Sequence, residues 1–535
     1  MFENLDKYPL YNGVLYKKEN ADVEEFGKAI EYFAEKGYKK VFENSFENAE
    51  FVTFINNKET VNISRKGKKN TLRITVEEGE NLPVVQKCKD PICDTLITQM
   101  TTSFYSVDCG MGYIIRLGDG SFVVIDGGMG SYDEPAHFLQ LLNAQKTEGG
   151  IPVIRAWFIT HPHNDHFGLF NKMMKEHKET FTLEKLIYNW PSREYVTGES
   201  DTTIFDEIAA NHDGFEVVTA RTGYKFCYCG NEFEILFSPD DTMPTEFTNV
   251  NDTSIIIRQK VNGRTVLYLG DVMTPGTNIL LEECENETLE AEILQVAHHG
   301  FWGGSNDLYK MINPETLLWP LPDYHYYNMT FVEQNDFLVH SDTIKNVYFS
   351  SLEETTLNMS KPVPQEHPYG KCENEVIYSA DFNSKSMLKL GWCCVRGGRI
   401  IFMPAKAEFI ENGIKLVSST EKPTLLEFVK PPFMANVEKY EVKIKGKLIK
   451  TSRFEFAYNY ANPREVDEND LVKLSCRQGE FEYIITADEP AGKIDVMLNG
   501  EKFTSADYRP FSRHGVAVIF DDAEIEFNEV VVKRI

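Results

Sequence analysis

The chain lacks the roughly 18-residue apolar run that a membrane-spanning helix requires. Its opening, MFENLDKYPLYNGVLYKKEN, has no basic stretch followed by an apolar core, so no secretory signal is expected there. With both features missing, a cytoplasmic location is expected. Positive charge is short as well: 55 Lys and Arg against 82 Asp and Glu leave a formal net charge of -27 at pH 7. Extended binding to nucleic acid needs a basic face that displaces counterions, and no such run exists. The local strip Arg65–Lys69 reads as the solvated end of a hairpin. A small phosphate ester is still compatible with this acidity, because a metal ion brings its own positive charge. The 10 cysteines form no paired C-x2-C arrangement: Cys88 and Cys93, Cys227 and Cys229, and adjacent Cys393 and Cys394 all have other spacings. A structural zinc module is therefore excluded, and reduced thiols are expected. No internal repeat or low-complexity tract is present.

What the chain does contain is ordinary globular material, 42% hydrophobic and 26% charged over 535 residues. That length calls for two or three cores. In residues 20–36, Val23, Phe26, Ala29, Ile30 and Phe33 recur at helical spacing before a Gly37 stop, and FVTFINN, TVNISR and TLRITVE alternate as strands. Residues 1–97 thus read as a small α+β domain with no catalytic cluster. From residue 98 to 360, apolar strands such as FVVID, IPVIRAWFIT and AEILQVA end in polar loops, where rigid scaffolds usually present chemistry. Prolines and a looser texture suggest a linker or edge region over 361–395. Residues 396–535 are almost entirely short alternating strands and predict a β-sandwich accessory domain.

The chemistry concentrates in Thr160-His161-Pro162-His163-Asn164-Asp165-His166. Three of the chain's 12 histidines and one aspartate fall within residues 161–166, directly after a buried strand. His161 and His163, two apart, suit one metal ion; Asp165 and His166 suit a second. Imidazole and carboxylate are the ligands preferred by Zn²⁺ and similar divalent ions.

This segment resembles the H-x-H-x-D-H signature of the metallo-β-lactamase superfamily, and further pieces follow in the family's order. Asp126 in VVIDGG corresponds to an aspartate that orients the loop from behind the ligands. Asp271 in VLYLGDV corresponds to the bridging carboxylate, and His298 in VAHHG to the last histidine ligand. NDTSIII, LGDV and HHG together resemble the competence-protein-type branch. The resemblance covers residues 98–360 and implies an αββα sandwich, one or two Zn²⁺ ions (or Mn²⁺), and hydrolysis of an ester-like bond, with a phosphodiester slightly favoured. Asp165 would also accept a proton from the attacking water, and His299 would contact substrate or protonate the leaving group. A branch that reduces oxygen carries Glu at the second motif position, where His163 stands here.

One departure stands out. The family's third histidine for the first ion is missing. His212 falls in a helix end and loop, and Pro239-Asp240-Asp241-Thr242 replaces the family's P-G-H-T. Asp241, or Asn251 or Asp252, is left to complete the site; otherwise a single ion is held. Aromatic segments, LIYNWPS and the stretches carrying Trp302, His325 and Tyr326, are candidate cleft walls. The C-terminal strands VMLNGEKF and IEFNEVVVKRI resemble concanavalin-like carbohydrate-binding modules. The alternative to hydrolysis is therefore a non-catalytic or carbohydrate-directed binding protein.

Overall fold

The structure, a computed structural model, describes residues 4–84, 91–101, 110–130, 134–147, 149–197, 205, 214–321, 332–350, 354–364, 376–379, 392–396, 399–401, 407–418, 424–429, 437–460, 468–509 and 515–535. Among these residues no helix is long and apolar enough to cross a membrane. The architecture is mixed α/β, with five sheets and few helices.

Near the N-terminus, Asp22 and Glu25 form a capping box that starts the helix Val23–Glu35. Its apolar stripe packs Phe26, Ala29 and Phe33 onto Val61, Ile63, Leu72 and Ile74 of a sheet. The three strands expected in this region are Ala49–Ile55, Glu59–Lys66 and Thr71–Glu78. Asp6–Pro9, Val14–Lys18 and Lys39–Phe46 extend them to a six-stranded antiparallel sheet. The strip Arg65–Lys69 departs from expectation. Lys66 is fully buried, with its Nζ 3.0 Å from Asp241 Oδ2, and Arg73 pairs with Glu283 at 2.6 Å. Arg221 joins Glu77 and Asp240 at 2.9 and 2.8 Å. A charge can be buried only when it is paired, so these contacts fasten the N-terminal sheet to the segment 221–283.

Residues 96–358 form two facing sheets. One runs in the order Glu216–Thr219, Lys185–Tyr188, Val153–Phe158, Phe122–Asp126, Gly112–Arg116, Leu96–Gln99, Thr355–Asn358. The other runs Lys225–Tyr228, Asn231–Phe237, Ile256–Val261, Arg264–Tyr268, Ile293–Gln295, Thr316–Trp319, Asn346–Phe349. Side chains alternate across each strand. Val123 and Ile125 meet Val266 and Tyr268 in the core between the sheets. Phe122 and Val124 face outward onto Phe138, Leu142 and Phe167 of the helices Glu134–Gln145 and Asn164–Glu176. Leu267 likewise faces Leu280 and Leu308 of the helices Thr274–Glu283 and Asn306–Ile312. Both faces of each sheet are covered, which is why these strands read as continuous apolar runs. Phe122–Asp126 is parallel to Val153–Phe158, and Arg264–Tyr268 to Ile293–Gln295. Within each pair the carboxyl ends therefore open at the same edge.

Glu234 braces the second sheet by accepting hydrogen bonds from Arg258 Nε and Nη2 at 2.9 and 2.6 Å. Burial pushes its carboxyl up, but Arg258, Lys225 and Lys260 outweigh burial and bring the pKa down to about 2. A depressed carboxylate contributes stability above its unfolded value of about 4.3, and that contribution is lost as pH falls through about 2. Glu234→Gln should cost about 3–5 kcal/mol at pH 7, because it strands a buried guanidinium. The variant should also lose less stability than the parent between pH 4.5 and 2. Urea unfolding at both ends of that window checks the prediction, and equal acid sensitivity in the two proteins would contradict it.

The C-terminal region packs two further antiparallel sheets around one core, in which Val442, Ile444 and Ile485 meet Phe454, Val518 and Phe520. Burial alternates along Lys439–Lys450, as its sequence YEVKIKGKLIK requires. The stretch 361–395 is not only a linker. Val376–Ser379 pairs with Glu524–Arg534, and Trp392–Arg396 pairs with Thr424–Val429, so both complete the C-terminal sheets. The partner of Val376–Ser379 lies far along the chain, out of reach of a local reading. Thiol state also departs from expectation at one position. Cys229 is disulfide-bonded, whereas Cys93, Cys227, Cys284 and Cys476 are free.

Candidate metal centre

The strand Val153–Phe158 delivers the motif. His161 and His166 are fully buried, and His163 sits at the N-cap of the helix Asn164–Glu176. Behind them lies buried Asp126, whose Oδ1 accepts the Thr160 N–H at 2.7 Å. Its Oδ2 accepts the Thr160 hydroxyl, also at 2.7 Å, and lies 2.7 Å from His166 Nδ1. A proton held on Nδ1 by this carboxylate turns Nε2 forward.

The forward group comprises Asp165, His166, Asp271 and His299, with ligand atoms all within 4.8 Å of one another. Asp271 Oδ2 is 3.0 Å from His166 Nε2, 3.3 Å from His299 Nε2 and 3.9 Å from His161 Nε2. Asp165 Oδ2 is 3.3 Å from His299 Nε2. Asp271 is positioned by its own backbone N–H, which donates to Ser254 Oγ at 3.0 Å. Gly270 before it has φ +54, and a Cβ there would come within 2.8 Å of that same hydroxyl. Only glycine fits this turn.

His161 and His163 are stacked edge-on, with ring centroids 4.8 Å apart. Asn251 interacts with His163 and His298 with His161, and Asn251 and His298 are joined at 3.1 Å between Asn251 Nδ2 and His298 Nε2. His298 and His299 both have positive φ (47° and 52°), so the adjacent rings diverge from any regular alternation.

With this geometry, residues 110–319 match the family model of the metallo-beta-lactamase superfamily. A curated relative, ComE operon protein 3 of Bacillus subtilis (strain 168), is 23% identical over 173 residues, covering 32% of this chain and 20% of the relative. The chain thus spans well under two thirds of that relative's length. Solved structures with some likeness include the carbohydrate recognition domain of Emp47p (11% identity, TM-score 0.22, 30% of this chain and 97% of that one). Others are a Bacillus subtilis protein of unknown function with a galectin-like fold (10%, 0.21, 30% and 97%) and the laminarinase from Rhodothermus marinus (9%, 0.22, 30% and 97%). Scores this low do not define a shared fold.

The electrostatics of the metallo-beta-lactamase-type site suit a cation. Burial, followed by the charge on His166, holds the His161 pKa well below the usual imidazole value, and burial also lowers His163 and His298. These three rings stay neutral. Burial opposes charge on His166 and His299 too. There, however, Asp271 and Asp165 (joined by Asp126 at His166) prevail, raising His166 well above its usual value and His299 to about 10. Despite burial, those same cationic rings hold Asp271 well below the ordinary carboxylate range. Two ionised carboxylates in a buried site demand positive charge, which those two rings supply as protons and a divalent ion would supply in their place. His161 Nε2, His166 Nε2, His299 Nε2, Asp271 Oδ1 and Asn251 Oδ1 are all buried without a hydrogen-bond partner. Buried polar atoms are rarely left so; with the Nε2 protons of His166 and His299 displaced, these atoms offer the lone pairs a divalent ion takes. The residues fit the family's metal.

Asp126→Asn would remove the carboxylate behind His166 and should weaken metal affinity about 10–100-fold. Competition with a chromophoric chelator measures this, and an unchanged affinity would show that His166 needs no such support.

Several expected site residues are placed elsewhere. Of the two adjacent rings, His299 joins the four-residue group, while His298 Nε2 lies 3.1 Å from Asn251 Nδ2. His299 Nδ1 lies 2.7 Å from the Pro320 carbonyl oxygen, to which it donates, and its Nε2 faces the aspartates. Asp241 is not a ligand. Its Oδ2 accepts from Lys66 Nζ (3.0 Å), Thr222 Oγ1 (2.6 Å) and the Ser238 N–H (3.2 Å), and Arg73 lies 3.6 Å from Oδ1. Asp252 instead accepts the Met273 and Gly276 N–H groups. Tyr188 and Trp190 of LIYNWPS belong to the core rather than a cleft wall. Trp302 is half exposed. His212, His325 and Tyr326 lie outside the described residues. The contribution of Ser254 was missed. The signal available for it was the N-x-x-S spacing of Asn251-Asp252-Thr253-Ser254.

Proposed function

We propose that the chain is a metal-dependent hydrolase that uses one or two divalent ions, zinc ahead of manganese, against an ester-like bond, with a phosphodiester favoured. The observation that supports this reading is the convergence of unpartnered buried ligand atoms from His161, His166, Asp271 and His299 in a superfamily-matched domain. The two facing sheets with helices outside are read as the family's αββα sandwich. The N-terminal unit braces it, and the C-terminal sheets are an accessory domain.

Bound divalent ions supply Lewis acidity and a water of lowered pKa. The chain's own part is orientation and proton handling. Asp126 and the Pro320 carbonyl fix the tautomers of His166 and His299. Asp165, the most exposed of the group at 25%, places a carboxylate at the rim, where it accepts a proton from water. The formal charge of -27 favours a small phosphoester over an extended polyanion, and the cytoplasm is the proposed location.

Metal content of the purified full chain, with hydrolysis of bis(p-nitrophenyl) phosphate and p-nitrophenyl acetate, tests the proposal. One or two ions per chain and activity lost to chelator but restored by Zn²⁺ or Mn²⁺ are expected. A chain that takes up no metal, or hydrolysis indifferent to chelator, would refute it.

A further inference from the structure

Resting on the metal-site reading above, we infer that the Asn251 side-chain oxygen completes the first metal site in place of the family's third imidazole, with His298 as the residue that orients it. Asn251 is 2% exposed and lies in the 3-10 turn Val250–Thr253. Two groups hold its backbone in place. Its N–H donates to Asn249 Oδ1 at 3.0 Å, and its carbonyl accepts the Ser254 hydroxyl at 2.8 Å. That hydroxyl also receives the Asp271 N–H, so the two loops are registered through one side chain. The Asn251 amide nitrogen is committed to His298 Nε2 at 3.1 Å. An amide whose nitrogen is committed has its oxygen direction fixed as well. Oδ1 is left buried and without a hydrogen-bond partner.

The first site then consists of His161, His163 and Asn251 Oδ1, with Asp271 shared between it and the group Asp165, His166 and His299. Because His298 Nε2 is already engaged, this ring positions the amide rather than ligating. A neutral carbonyl oxygen is a harder donor than imidazole and suits Mn²⁺ or Mg²⁺ better than Zn²⁺. The first site is therefore more tolerant of oxygen-preferring ions than a three-histidine site.

Calorimetric titration of the metal-free full chain with Zn²⁺ and with Mn²⁺, alongside metal content by mass spectrometry and circular dichroism, tests this. The parent should take two ions. Asn251→Ala should keep one and bind the other at least tenfold more weakly, and His299→Ala should show the complementary loss. Asn251→His should tighten Zn²⁺ relative to Mn²⁺ at least tenfold. Two ions bound with unchanged affinity in Asn251→Ala would overturn the inference and leave the hydrolase reading intact, as would a parent that holds one ion. A parent that takes up none would overturn both. Should Asn251→Ala fail to fold, Asn251→Asp, which keeps an oxygen in place, carries the test. Retention of both ions supports the assignment, and loss of one overturns it.

Discussion

Asp271→Ala should yield a folded chain that retains fewer than one ion after desalting and hydrolyses phosphodiesters on the order of 10³-fold more slowly. The magnitude follows from the several kcal/mol that a bound ion contributes to a hydrolytic transition state, about 4 kcal/mol being a factor of 10³. The Asp271 carboxylate reaches both groups of ligands: His166 at 3.0 Å, His299 at 3.3 Å and His161 at 3.9 Å. No neighbour replaces it, because Asp165 approaches His166 Nε2 at only 3.7 Å and lies toward the rim. The fold should survive, since the loop is held by the Asp271 backbone N–H on Ser254 and not by the carboxylate. Metal analysis with thermal melting separates the outcomes. Two retained ions with unimpaired hydrolysis would remove Asp271 from the site.

Asp241→Ala should do the reverse, leaving metal content unchanged while costing about 3–5 kcal/mol of stability. Lys66 is fully buried and Arg73 is 3% exposed, and both depend on this carboxylate. Burial alone would raise the Asp241 pKa, but Lys66 and Arg73 lower it, so it meets them ionised. Without it, Lys66 keeps the Leu236 carbonyl at 3.3 Å and Glu283 at 3.9 Å, and the join between the N-terminal sheet and the 238–242 turn loses its central anion. A lower melting temperature with full metal content is the expected result. Loss of one ion at unchanged stability would restore Asp241 as the substitute ligand suggested by its place in Pro239-Asp240-Asp241-Thr242.

These two aspartates show what was legible in the chain. Asp271 follows an apolar strand and a glycine, a local pattern whose geometry is set by strand period and turn chemistry. The same holds for Asp126 and for His161 to His166. Asp241 also follows an apolar strand, yet its partner Lys66 is 175 positions away. Nothing local distinguishes a carboxylate that meets a lysine from one that meets a metal ion.

The sequence by itself determined where strands would end in histidine and aspartate, because side-chain alternation and the order of apolar runs are properties of neighbouring residues. It determined the helix Val23–Glu35 through its cap and its stripe, and the alternating C-terminal strands through their period. Tertiary structure alone decided which of His298 and His299 faces the aspartates, since both rings hang on residues of positive φ, where no helical or strand alternation applies. It also decided that Asn251 stands beside His163 and His298 while Asp241 is held by the N-terminal sheet. Those choices arise where segments distant in the chain pack together, and a buried charge or amide takes whichever partner the packing brings within reach.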